Sequence, residues 1–459
     1  MGTIAPGGDA LMRHVVIVGG GFAGLSAGVA LAAAGVRVTL LEARPRLGGR
    51  AYSFRDAATG TIVDNGQHAM MGCYTHTLEF LRRIGAADRV MRQGNLRVDM
   101  VHPRLGAGVI ACPAWPSPLH MLAGIARYRL LSGAERGRAL LAGARLMGMR
   151  RRRDPLLAAS TVDELLIRLG QTAHAREAFW NPVVVATLNE EPARAAAGPF
   201  VEVLARAFFR SRADSQFVLP RVGLSELYTD DARRVIEQGG GRIEVGALAT
   251  GVSVRDDHVA GVMLRDGREL AADACIAAVP PRALGGLLPD ALRERPPMAA
   301  LAQLETSPIV STHLWFDRPV LDGDFLGLLG TTTQWAFNRT RLTGCAEPDG
   351  GQSVSAVISA GREAVEWDTQ RVADTVVADL RSLVPAAREA RLRRTVVVKE
   401  KQATMACTPA AERLRPGVDP GLRGLALAGD WTDTGLPPTI ESAVESGARA
   451  AAHVAAGWP

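Results

Sequence analysis

The stretch VVIVGGGFAGLSAGVAL, residues 15–31, decides the fold. A β-branched run, Val15 to Val18, enters a glycine cluster, and an Ala/Leu-rich segment follows. Gly19, Gly21 and Gly24 form GxGxxG between an apolar strand and a helix, the context that motif requires. Gly19 permits the tight turn, Gly21 lets the backbone approach a pyrophosphate, and Gly24 allows close helix–strand packing. Phe22 and Ala23 belong to the same cofactor-binding turn, just before the helix whose free N–H groups and positive dipole end face the phosphates. The second strand, Arg37–Glu42, ends on a carboxylate 18 residues after Gly24, placed to accept hydrogen bonds from an adenosine ribose, with Ala43 and Arg44 directly behind it. Residues 15–36 carry no charge and approach the length of a membrane span. The glycine break and the switch from β-branched to Ala/Leu composition favour strand, turn and helix instead. The stretch reads as a dinucleotide site on an α/β sheet.

Outward from this motif, the whole chain of 459 residues is 47% hydrophobic, 5% aromatic and 22% charged. That composition excludes a disordered chain, a collagen-like repeat and a small disulfide scaffold, and the length suggests two or three structural units. Five cysteines, Cys73, Cys112, Cys275, Cys345 and Cys407, are widely and irregularly spaced, with no CxxC pair. Reduced thiols in a cytosolic protein are expected, with no metal site. Residues 1–13 lack a basic region followed by an apolar run, so no secretory signal is read there. HExxH, Walker and GxSxG motifs are all missing, and no module interleaves aromatic with basic residues. Metalloprotease, P-loop, hydrolase and nucleic-acid readings therefore have no support.

The organisation alternates. Strand is expected at His14–Val18, helix at 24–34 and strand at Arg37–Glu42. Residues 78–209 read as mostly helical, interrupted by CPAWPSP at 112–118. Strands dominate 242–279, with a hairpin signal at Asp266-Gly267, and return over 307–360. Helix is expected at 371–383 and 439–456, with a strand at 425–428. The expected fold class is α/β: a discontinuous Rossmann-like domain of residues 1–75, 210–285 and 415–459, with an α+β substrate domain of 76–209 and 286–414.

After Glu42 the chain reads ARPRLGGRAYSF. Its Gly48, Gly49 and Arg50 resemble the second glycine signature of flavoproteins, in which the loop wraps a pyrophosphate and the Arg adds charge-assisted hydrogen bonds. LALAGDWTDTGLPPTIESAVESGARAA near the C-terminus resembles the matching half. Gly429-Asp430 ends a strand there, and the helix starting at Thr439-Ile440 aims its N-terminus at the flavin N1–C2=O edge. Signatures at both ends of the chain resemble the amine-oxidase and phytoene-desaturase superfamily, which implies FAD as cofactor and the Ala249 backbone as the contact near the adenine. The stretches IVDNGQHAMMGCYTHTLEFLRRIGA (62–86) and FWNPVVVATLNEEPARAAAGPF (179–200) resemble the hydroxysqualene dehydroxylases of bacterial hopanoid biosynthesis. That resemblance spans the chain from His14 onward. It implies FAD-dependent reduction of an allylic isoprenoid alcohol to squalene with loss of water, and contact with other enzymes of squalene and hopanoid synthesis. The alternatives are a carotenoid or phytoene desaturase or isomerase on the same framework, and a non-catalytic isoprenoid-binding flavoprotein. An amine oxidase fits poorly, because the only lysines, Lys399 and Lys401, are adjacent on an expected strand and the chain has four Tyr.

A dehydroxylase needs an acid for the leaving hydroxyl. The candidates are His68, Asp64 and Glu190, with Asn65 and Gln67 orienting the hydroxyl or the flavin edge. Each has a plainer reading. His68 could tie two loops together, Asp64 could hold a turn or Arg50, and Glu190 could cap a helix near Pro192. Residues 119–153 hold nine Arg and one acid, Glu135, a net charge of +8 in a chain whose total is +6. Leu140, Leu141, Ala144 and Met147 share one helical face there, opposite Arg138 and Arg145. Residues 115–153 are therefore the candidate membrane-association segment. It would sit peripherally on an anionic bilayer at the inner face of the cytoplasmic membrane, where the isoprenoid dissolves.

Overall fold

The computed structural model describes residues 13–457; residues 1–12, on which the signal-peptide expectation mostly rests, lie outside the described residues. In chain order the elements that position the site begin with β1 (His14–Val18), α1 (Phe22–Ala33), β2 (Arg37–Glu42), α2 (Thr75–Ile84), β3 (Arg97–His102) and β4 (Gly106–Ala111). Helices α3 (Leu119–Ala126), α4 (Gly133–Arg152), α5 (Asn181–Leu188) and α6 (Leu224–Gln238) follow. Then come β5 (Arg242–Val245), β6 (Ala274–Ala277), β7 (Thr306–Phe316), β8 (Phe325–Leu328), β9 (Trp335–Asn338) and β10 (Gln352–Ser359). The chain finishes with α7 (Thr369–Leu383), β11 (Leu392–Met405), β12 (Leu425–Leu427) and α8 (Ile440–Ala456).

Five parallel strands, ordered β5-β2-β1-β6-β12, assemble the nucleotide-binding sheet from three separate stretches of chain. Every residue of β1 is buried, as a strand covered on both faces requires. Val15 and Ile17 pack toward α1, α6 and α8, whereas Val16 and Val18 pack against an antiparallel layer built from residues 249–271. The first hairpin of that layer turns on Asp256 and Asp257, both left-handed at φ 50° and 55°, a conformation Asp tolerates better than most residues. The expected Asp266-Gly267 turn joins its second and third strands. Helix α1 begins at Phe22, two residues earlier than expected, because Gly21 already has the extended backbone of an N-cap.

A seven-stranded mixed sheet, β11-β7-β10-β9-β8-β3-β4, forms the second half. Helix α7 covers one face through Val372, Val376 and Leu380. The other face, with Val98, Met100, Phe325 and Phe337, packs toward the helical layer of α3, α4 and α5. The expectation of helix over most of 78–209 fails at β3 and β4. In β3 the buried Val98, Met100 and His102 alternate with Arg97, Asp99 and Val101, a period of two that belongs to a strand. All five cysteines are free thiols, and four of them are buried.

Candidate functional site

One cavity of about 960 Å³ runs from the nucleotide-binding loops into the seven-stranded sheet. At its first end Gly19 has φ +112°, and a Cβ there would lie 2.3 Å from the Ala278 carbonyl oxygen. A Cβ on Gly24 would lie 1.8 Å from the carbonyl oxygen of Gly19, so the glycine is what lets α1 sit against the turn. Glu42 is buried; its Oε2 accepts from the Gly20 N–H at 2.8 Å and its Oε1 from the Arg44 N–H at 2.8 Å. Gly48 and Gly49 are both left-handed, and a Cβ on Gly49 would meet the Gly21 Cα at 3.1 Å. Two side-chain-free loops thus face each other across a narrow passage, a cradle that any Cβ would narrow.

Arg50 spans the two halves of the cofactor signature. Its guanidinium donates to Asp430 Oδ1 at 2.5 Å and to the Ala403 carbonyl at 3.2 Å. Ala43, Arg44, Ala249, Gly429, Thr439 and Ile440 also line the cavity. Thr439 caps α8 by accepting from the Ser442 N–H, and it leaves the first turn of that helix facing the cavity. Glycine cradle, buried acid, flanking arginines and a helix N-terminus fit a dinucleotide with a polar ring edge.

Two supports of this end escaped the sequence reading. The Tyr228 hydroxyl lies 2.9 Å from the carbonyls of both Gly48 and Ala51, between which its one proton is shared, and its ring stacks on Phe22 with centroids 3.8 Å apart. Buried Arg415 donates to the carbonyls of Asp430, Thr432 and Leu436, which fixes the loop that carries Asp430. Nothing local marks a tyrosine within α6, or an arginine beyond a short helix, as a loop clamp; only the tertiary contact does.

The structure sorts the candidate chemistry. Asn65, Gln67 and His68 line the cavity. His68 Nδ1 lies 2.8 Å from the Gly66 carbonyl. A carbonyl only accepts, so Nδ1 carries the proton and Nε2 holds a lone pair in the neutral ring. Burial pushes the His68 imidazole below its ordinary value, opposed by the Gly66 carbonyl and by the negative charges of Asp64 and Glu400. Asp64 does not line the cavity. It is almost wholly buried, accepts from Ser53 Oγ and the Leu224 N–H, and pairs with Arg339 at 3.1 Å. Glu190 likewise lies away from the position expected of an acid: it is fully buried, ion-paired with Arg362 and with Arg194, and absent from the cavity wall. Its neighbour Asn189 reaches the cavity instead. Both carboxylates hold structure, as their ion pairs require of buried charge.

Two further polar residues that the sequence did not single out, Glu400 and Thr404 of β11, line the cavity. Lys399 donates to the Trp367 carbonyl and Lys401 pairs with Glu366, so neither lysine reaches it. Beyond the polar group the wall is apolar, built from Met100, Ile110, Phe179, Trp180, Phe325 and Phe337.

The cavity reaches the surface between α3 and α4, where Pro118, Leu122 and Ala144 are both exposed and lining. Leu122 at this opening is 40% exposed, and its neighbours along the chain in the same segment include the exposed Trp115 (50%), Leu119 (49%) and Leu141 (52%). The expected face of Leu140, Leu141, Ala144 and Met147 is divided. Ala139, Ala142, Leu146 and Met149 form the buried side of α4, Leu140 and Met147 pack partly buried against the same core, and Leu141 and Ala144 are exposed. The segment's one acid, Glu135, is buried and held by Ser132, Thr172 and His174; burial opposes its ionisation, yet these contacts bring it down to about 2. No helix among the described residues is long and apolar enough to cross a membrane.

Comparison with known proteins places this geometry. The model of a family described as flavin containing amine oxidoreductase matches residues 22–455. A hydroxysqualene dehydroxylase of Sinorhizobium fredii is 29% identical over 450 residues, covering 96% of this chain and 97% of its own. A 15-cis-phytoene desaturase of Synechococcus elongatus is 24% identical over 452 residues, covering 95% and 94%. An oxidoreductase from Methanosarcina mazei superposes with a TM-score of 0.73 at 17% identity, over 96% of this chain and 100% of that one, a likeness of fold.

Proposed function

Because the chain belongs to the flavin-containing amine oxidoreductase family, we propose that it converts hydroxysqualene to squalene in squalene and hopanoid formation. It is an FAD-dependent oxidoreductase, and FAD bound in reduced form supplies hydride. The observation that carries the reading is the wall of the cavity. It is largely apolar, with a polar group formed by Asn65, Gln67, His68, Glu400 and Thr404 beside the cofactor end. A long hydrocarbon with one hydroxyl matches that distribution. Relatives named for this activity across nearly the whole chain support it.

Reduced FAD, when bound, would supply the hydride for the new C–H bond as the allylic C–O bond breaks and the oxygen, taking up a proton, leaves as water. Gly19, Gly21 and Gly24 with the α1 N-terminus would hold the pyrophosphate, and Glu42 the ribose. Gly48, Gly49, Arg50 and Gly429 would flank the phosphates, Asp430 would contact the ribityl chain or the pyrophosphate, and Thr439-Ile440 would present the α8 N-terminus to the ring edge. His68 delivers the proton and Gln67 orients the reacting groups, while Asn65, whose amide hydrogens go to the Arg50 carbonyl and Glu400, holds the loop beside them. The apolar wall excludes the water that would capture an allylic cation.

Anaerobic incubation of the reduced holoenzyme with hydroxysqualene tests this. Squalene is expected to accumulate with one flavin reoxidised per molecule. No squalene, together with phytoene oxidation in the presence of a quinone, would instead assign the activity of the phytoene desaturase relatives.

The opening between α3 and α4 gives the substrate its route. The exposed Trp115, Leu119, Leu122 and Leu141 enter the lipid interface while the arginines of 119–153 meet anionic headgroups on the cytoplasmic side. In flotation assays the protein is expected to bind phosphatidylglycerol vesicles far better than phosphatidylcholine ones, and added salt should weaken the binding. Combined Trp115→Ser and Leu119→Ser should lower partitioning about tenfold or more, since each buried large apolar side chain contributes about 1.5–3 kcal/mol. Equal binding to both vesicle types removes the electrostatic part of this reading.

A further inference from the structure

The two distinctive sequence stretches each place one asparagine against β11, and in both the amide orientation follows from a backbone donor. Asn65 Oδ1 accepts from the Tyr52 N–H at 3.2 Å, so its Nδ2 faces the Arg50 carbonyl at 2.8 Å and Glu400 Oε1 at 2.9 Å. Asn189 Oδ1 accepts from the Ala360 N–H at 2.7 Å, so its Nδ2 donates to the Ser307 carbonyl at 3.2 Å and to Thr404 Oγ1 at 3.0 Å. Of these recipients, Glu400 and Thr404 present side chains to the cavity.

Strand β11 is irregular at this point. Glu400 stands opposite Ile309 and Thr404 opposite Ser307, so four steps along β11 match two along β7. Such a bulge re-aims the side chains beside it. The Ala403 carbonyl within the bulge accepts from Arg50, which couples it to the cofactor loop. Asn189 and Ala360, at the other side of the contact, are both left-handed non-glycine residues, with φ 48° and 50°. Residues held this way persist only where their surroundings over-determine them.

The consequence falls on one proton. A threonine hydroxyl donates once and accepts twice. Thr404 Oγ1 already accepts from Asn189, and among the described residues no protein group takes its own proton. We propose that Thr404 donates this hydrogen bond to the hydroxyl oxygen of the substrate, with Asn189 as the positioning residue that fixes the direction. The inference rests on the alcohol-substrate reading above. A pocket that hydrogen-bonds a substrate hydroxyl discriminates against the analogue lacking it.

The test measures binding to the oxidised holoenzyme, where no hydride is available, by titrating the flavin absorbance with hydroxysqualene and with squalene. The wild type is expected to prefer the alcohol. Thr404→Val should remove about three- to tenfold of that preference, the span of one ordinary hydrogen bond. It should leave squalene affinity and FAD content unchanged. Thr404→Ser should restore the preference. Asn189→Asp should lower it as much as Thr404→Val does, because the carboxylate takes the threonine proton, and the double variant should fall no further. Retained preference in Thr404→Val, or an equal loss toward both lipids, overturns the inference. A wild type with no preference for the alcohol refutes the substrate reading before any variant is made, so the two failures are distinct.

Discussion

Gly24→Ala is expected to yield protein with less than about a tenth of the wild-type FAD content. The added Cβ would stand 1.8 Å from the Gly19 carbonyl oxygen, and backbone cannot rotate away as a side-chain tip can. Helix α1 would have to lift from the turn, carrying Gly21 and the helix N-terminus off the phosphate position. It cannot retreat toward α8, because Gly447 there is packed so closely that its own Cβ would meet the Ala23 carbonyl oxygen at 2.1 Å. Overpacking usually costs about 1–3 kcal/mol, and about 1.4 kcal/mol already lowers an affinity tenfold. Gly28→Ala is the control on the same helix. Its Cβ would meet the Cδ1 of Ile236 at 2.7 Å, a side-chain end that can shift, so FAD content should stay near wild type. Absorbance ratios of flavin to protein decide the case, and a Gly24→Ala protein with full FAD would contradict the packing argument.

What the sequence made legible here is local. The glycines, Glu42, the Gly48-Gly49-Arg50 loop and the Gly429-Asp430 turn act through backbone conformations that neighbouring residues dictate, so their spacing carries the meaning. Glu400 and Thr404 were not legible. Their aim depends on a bulge in β11 and on asparagines more than 200 residues away. Glu190 shows the converse. Its carboxyl reads as a candidate acid in the sequence, but a left-handed residue at 189 turns the chain so that Asn189 faces the cavity and the glutamate faces Arg362. The strands β3 and β4 were missed for a different reason. Their alternation is plain, but it lies in a stretch whose Leu, Ala and Arg content reads as helix when averaged over a long window.

His68→Gln is expected to lower kcat by about 10²–10⁴-fold, the usual worth of a placed acid, with FAD content and alcohol binding preserved. The Gly66 carbonyl consumes the Nδ1 proton, so the ring offers a proton at Nε2 only as imidazolium. Burial disfavours that form and drops the pKa below the ordinary 6.5, while the Gly66 carbonyl and the carboxylates of Asp64 and Glu400 resist the fall. The sign follows: the acid form is lost as pH rises through the depressed value, so wild-type kcat should decline with rising pH and turn over below pH 6.5. In His68→Gln that limb should disappear, and the residual rate should be flat across the same window. A histidine that only tied its loop to Gly66 would behave otherwise. Its removal would loosen the 65–68 loop, shift FAD content or substrate affinity, and leave the pH limb in place. Asp64→Asn separates charge from contact. It removes one of the anions favouring the imidazolium, so the limb should move to still lower pH, even though Asp64 itself never reaches the cavity.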